Sequence, residues 1–155
     1  MLKKFLLSLF VLLVLLVPSW AGAAGTVTQT WEAIGTDVVV LTFSWTADSG
    51  VSGVTGAVSG VTTARDVDGY VILAVTNPGS TAPTDNYDIV LHDSDGVDVM
   101  GGQLANRDTA NGEHTVPKIG SVYGARWVAG VLGFHLSGNS TASATGTLKV
   151  FLLRR

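Results

Sequence analysis

The chain has 155 residues, a formal net charge of −3, 14% charged side chains and no cysteine. The missing cysteine excludes disulfides, thiolate metal sites, cysteine nucleophiles and a lipid-bearing cysteine behind a leader. The acidic balance and the dispersed basic residues argue against nucleic-acid binding, because an acidic surface repels a phosphate backbone.

Met1-Leu2-Lys3-Lys4 leads into an apolar stretch of 13 residues, Phe5 to Val17, with Ser8 its one polar member, and then into Pro18-Ser19-Trp20-Ala21-Gly22-Ala23. This is the layout of a Sec-type secretory signal peptide over residues 1–23. Ala21 and Ala23 fit the peptidase's two small pockets and place cleavage after Ala23. The run is shorter than the about 20 apolar residues a bilayer-spanning helix needs. An uncleaved membrane anchor is the alternative. Cleavage predicts an exported protein, periplasmic or secreted, without a membrane segment. Residues 24–155 then form a single domain, large enough to fold without a covalent staple. Loss of Lys3 and Lys4 leaves 7 basic against 12 acidic side chains, a net charge of −5.

The rest of the chain reads as strands and turns. Thr26 to Trp31 alternates threonine with Val, Gln and Trp, and Gly35 is placed to close a hairpin into Asp37–Trp45. In that strand Val39, Leu41, Phe43 and Trp45 share one face. Ser49 to Val61 repeats small-residue triplets around glycine and predicts a mobile glycine-rich loop; with no following Gly-Lys-Ser/Thr it is not a phosphate cradle. Gly69 to Thr76 is the next strand, with Val71, Leu73 and Val75 expected on one face. A Pro/Gly-punctuated loop follows, and then Asn86–His92, where Tyr87, Ile89 and Leu91 alternate with Asp88, Val90 and His92. Asp93-Ser94-Asp95-Gly96 predicts a hairpin turn into Val97–Met100, since Asp-Gly supplies the positive φ a tight turn needs. Arg126–Leu136 and Ala144–Leu153 complete the set, the latter with Leu148, Val150 and Leu152 on one face. About 7–8 short strands separated by turns predict an all-β domain, an antiparallel β-sandwich or a jelly roll.

Chemistry has few footholds. The histidines are His92 and His135, on predicted strands, and His114, in a polar loop; neither GxSxG nor HExxH is present. The expectation is that the protein is not an enzyme. Asp93, Asp95 and Asp98 are the one metal candidate, because three carboxylates around a glycine turn suit a hard cation such as Ca²⁺. The spacing lacks the rest of an EF-hand, and we expect a solvated structural turn and no cofactor. The pairs Asp66/Asp68 and Asp85/Asp88 lie beside turns, where loop solubility accounts for them. Trp31, Trp45, Trp127, Tyr70, Tyr87 and Tyr123 lie on or beside strands. Core packing explains most of them, and an exposed row would stack on sugars. Asn139-Ser140-Thr141 satisfies a glycosylation sequon.

Pro83 to Thr109, PTDNYDIVLHDSDGVDVMGGQLANRDT, resembles a pattern in small β-rich structural proteins encoded among tailed-bacteriophage and prophage virion genes. Leu136-Ser137-Gly138-Asn139 and the Thr-rich last strand are similar as well. The resemblance covers about half of residues 24–155 and carries no catalytic signature. It implies a non-enzymatic structural or attachment component of a phage particle, meeting copies of itself or other virion proteins. The leader departs from that pattern, because virion parts assemble in the cytoplasm. It favours instead a secreted or periplasmic bacterial domain that binds a glycan or cell-surface ligand. Asn106, Arg107 and Asp108 either close their own loop or meet a neighbouring subunit.

Overall fold

The computed structural model describes residues 25–49 and 58–155. The expected leader, with its cleavage residues Ala21 and Ala23, and most of the glycine-rich stretch lie outside these residues. Among the described residues every regular element is a strand, and no helix is long and apolar enough to cross a membrane. In chain order they are β1 (Thr26–Ile34), β2 (Val38–Thr46), β3 (Val58–Thr62), β4 (Val67–Pro78), β5 (Asp88–His92) and β6 (Glu113–Thr115). The series ends with β7 (Lys118–Ile119), β8 (Val122–Tyr123), β9 (Arg126–Gly130), β10 (Gly133–Ser137) and β11 (Thr145–Arg154).

All pairings are antiparallel. The largest sheet runs β1-β2-β11-β4-β6, with β9 on the same edge of β4 as β6 but further along it. It is open and curls into a half-barrel. A smaller sheet runs β3-β10-β5, and β7-β8 is a separate short hairpin. Gly35, at φ 64, makes the tight connection that pairs Ile34 with Val38. A residue with a Cβ is disfavoured there, which is why the sequence places glycine at that point.

The core lies between the two larger sheets. Leu41, Phe43 and Trp45 of β2 and Leu148, Val150 and Leu152 of β11 are buried, as their alternation predicts. From the smaller sheet come Ile89, Leu91, Phe134 and Leu136, with Tyr87 just before β5. Phe43 and Phe134 stack across the gap with ring centroids 5.3 Å apart. Such a pair adds about 1 kcal/mol beyond the area it buries. Trp45 lies tilted on Tyr87 at 5.8 Å, and its ring covers Gly146, where a Cβ would collide with it.

Four sequence expectations change. Val58–Thr62, the end of the glycine-rich stretch, is strand β3, paired with β10 rather than looped. Arg126–Leu136 is two strands in different sheets. Gly130, at φ 90, ends β9, and the chain crosses through buried Leu132, whose N–H donates to Thr63 Oγ1. The limb after the Asp-Gly turn is not a strand. It makes only a bridge, His92 with Asp98, before Gly101 and Gly102 turn it away. Finally, β4 carries a bulge: Leu152 pairs with Val71 and Phe151 with Leu73, leaving Ile72 as an extra residue. Val71 and Ala74 therefore face the core, while Leu73 and Val75 face outward.

Between β1 and β3 a side chain stands in for a ladder. Gln29 Nε2 donates to the Thr62 carbonyl at 2.7 Å, and Gln29 Oε1 accepts the Ala64 N–H at 2.9 Å. One amide thus fastens the edge of the half-barrel to the smaller sheet.

Candidate functional site

Of the aspartates in Pro83–Thr109, Asp88, Asp93, Asp98 and Asp108 are spent on backbone N–H groups. Asp93 Oδ1 accepts from Asp95 at 3.1 Å and Val97 at 2.9 Å, while Gly96, at φ 80, takes the left-handed position of the turn. Asp98 accepts from Met100 at 2.9 Å and from Gly102 at 2.5 Å. Asp95 is exposed at the tip. Among the described residues no three acidic or histidine side chains form a group that would hold a metal ion. Asp88 accepts the N–H of Asn106 at 2.8 Å, and Asp85 accepts from the Asn86 side-chain Nδ2 at 3.4 Å.

The Asn106-Arg107-Asp108 loop closes on itself. Arg107 donates through Nε and Nη2 to the Ala105 carbonyl, and its Nη1 lies 3.5 Å from Glu113. Asp108 Oδ1 accepts from Ala110 and Asn111, and these N–H groups hold its carboxyl below the ordinary value. Asn139 is buried and accepts the N–H of Thr84 at 2.8 Å and of Thr141 at 3.0 Å. Its Nδ2 donates to the Thr141 carbonyl, so the sequon asparagine is a loop clamp turned away from solvent.

The histidines are scattered. The His92 ring packs against Gly133 so closely that a Cβ there would collide with it. His114 sits on short strand β6 rather than in a loop, paired with Val75, and is exposed, as is His135 on β10.

The outward side of the large sheet is graded by chemistry. Thr28, Ser44, Thr147 and Asn77 stand opposite one another in one row across four strands. Thr30, Thr42, Lys149, Val75 and His114 form the next. Glu32, Val40, Phe151 and Leu73 follow. The last row is Ile34, Val38, Leu153, Tyr70 and Trp127, continuous over five strands. Ile34 is 51% exposed, Leu153 39%, Tyr70 41% and Trp127 49%, so this row is open to solvent and apolar from end to end. In the four rows Glu32 and Lys149 are the only residues charged at neutral pH. Five strands about 4.8 Å apart and four rows about 6.8 Å apart make a face on the order of 600 Å².

Sequence alternation sorts Trp45 and Tyr87 into the core but misses this row. Tyr70 and Leu73 have opposite parity in the sequence, and only the bulge at Ile72 puts both on the outward side. Trp127 joins them because β9 stays with the large sheet. Comparison with family models, with curated proteins and with solved structures returned no match.

Proposed function

We propose that the chain is a non-enzymatic assembly module, a structural or attachment component of a phage or prophage particle that meets neighbouring subunits through the outward side of its large sheet. The observation that carries this is the row Ile34–Val38–Leu153–Tyr70–Trp127. An exposed apolar strip of that length is uncommon on a protein that works alone. The whole face approaches the about 800 Å² that one partner contributes to a standard interface. Its paucity of charge lowers the desolvation cost of covering it. The phage-like segment fits a structural part, because its polar residues fix loop geometry. In the same reading the two facing sheets are the layers of an incomplete β-sandwich.

Sedimentation of the domain from Ala24 over a wide concentration range tests the proposal. Self-association is expected, and Leu153→Glu or Trp127→Glu abolishes it while leaving the melting temperature near that of the parent. A domain that stays monomeric at high concentration, and that also fails to bind particle proteins, overturns it.

One observation favours a second reading, an exported glycan binder. Tyr70 and Trp127 are adjacent, exposed rings on one face, as a sugar platform requires. Mass spectrometry of the native N-terminus separates the two: Met1 intact within a particle supports assembly, and Ala24 in a periplasmic fraction supports the binder.

A further inference from the structure

The inward side of the same sheet opens at one end into a cleft of about 280 Å³. Val39, Val67 and Leu152 lie along it, and Trp31 forms a wall. These belong to the inward side of β1, β2, β4 and β11, so the cleft is the mouth of the half-barrel. Barrel mouths are frequent ligand sites because the curl supplies an apolar floor and the strand ends supply polar groups.

The polar groups here are of two kinds. Arg65, Arg154 and Arg155 line the cleft, and the Arg65 guanidinium lies 4.1 Å above the Trp31 ring. Among the described residues no carboxylate stands within ion-pair distance of these three side chains. Asp66 and Asp68, both exposed, line the cleft beside them. Unpaired guanidinium forks match a carboxylate with paired hydrogen bonds. Carboxylates a few residues away repel a second anionic group but accept hydrogen bonds from hydroxyls. The floor and the indole suit the apolar face of a ring.

We propose that this cleft binds a small hydroxylated carboxylate, an acidic sugar unit such as a uronic acid. The carboxylate meets Arg65 and Arg154, the hydroxyls meet Asp66, and the ring lies over Val39 and Leu152. Arg65 is preset for this role by its seat on Trp31, which limits the side-chain entropy lost on binding. The site is independent of the assembly face, which lies on the opposite side of the sheet.

Calorimetric titration of the domain with D-glucuronate, D-glucose and inorganic phosphate tests it. Saturable binding of glucuronate is expected, weakened about tenfold or more by Arg65→Gln and by Arg154→Gln, and unchanged by Trp127→Glu. Circular dichroism verifies the fold of each variant, and Arg65→Lys, which keeps the charge but loses the paired fork, serves with the same expected weakening where Arg65→Gln fails to fold. Glucose binding as tightly as glucuronate, phosphate binding as tightly, or no saturable heat with glucuronate each overturns the proposal.

Discussion

Asn139 accepts the backbone N–H of Thr84 at 2.8 Å, and that bond joins two separate stretches of chain, Pro83–Thr109 and Leu136–Asn139. Around it, Thr84 Oγ1 reaches Ser140 Oγ at 2.7 Å and accepts the Ser140 N–H at 2.9 Å. Residues 55 apart in sequence thus form one small polar knot beneath the loops.

Asn139→Ala removes the shared acceptor and leaves two N–H groups without it. A loss of about 2–3 kcal/mol in urea unfolding is expected. Asn139→Asp keeps the acceptor but turns a buried carboxylate oxygen toward the Thr141 carbonyl, so its loss is larger at neutral pH than at acid pH, where the protonated oxygen donates again.

Tyr87 is fully buried, and its hydroxyl has no hydrogen-bond partner among the described residues. Burial, followed by the nearby Glu113 charge, pushes its pKa up to about 12. The folded state thus favours neutral Tyr87, and that stability is lost as pH rises from the ordinary value of about 10 toward 12. Tyr87→Phe is expected to raise stability by about 1 kcal/mol at neutral pH, since it deletes an unsatisfied hydroxyl. It also flattens the decline above pH 10, read from melting temperatures across that range.

Gly101 has φ 62, and a Cβ there would fall 2.0 Å from the Lys118 carbonyl oxygen. Gly96 has φ 80 with open space around it. Gly101→Ala is therefore expected to cost more than about 2 kcal/mol, and Gly96→Ala about 1 kcal/mol. Equal losses in thermal unfolding would contradict the close approach of the two segments.

Asp98→Ala frees the N–H groups of Met100 and Gly102 and should lower stability by about 1–2 kcal/mol. Calcium or a chelator should leave the parent's melting temperature unchanged, because these oxygens serve the backbone. A rise with calcium that Asp95→Ala removes would show a metal site instead.

What could be read in advance followed strict alternation. Leu41, Phe43, Leu148 and Leu152 fall every second residue, and a strand puts such residues on one side without outside help. The Asp-Gly turn was legible because few residues adopt the backbone angle it needs. The division of Arg126–Leu136 was hidden, since both halves are apolar and only the neighbours they pair with tell them apart. Glycine-rich Val58–Thr62 was hidden too, because its strand form comes from β10 alongside it and not from its own preference. The candidate face was the least legible, being assembled from five strands whose register no local pattern reveals.

Ile72 has a consequence larger than its size. Because it is the extra residue opposite β11, everything after it on β4 is turned over relative to everything before it. Substituting Ile72 leaves that arrangement in place. Removing it would send either Tyr70 or Leu73 to the opposite side and interrupt the outward rows. A length change of one residue can therefore rewrite this surface without altering its composition. What a partner meets on this molecule depends on how many residues separate Gly69 from Ala74 as much as on which residues they are.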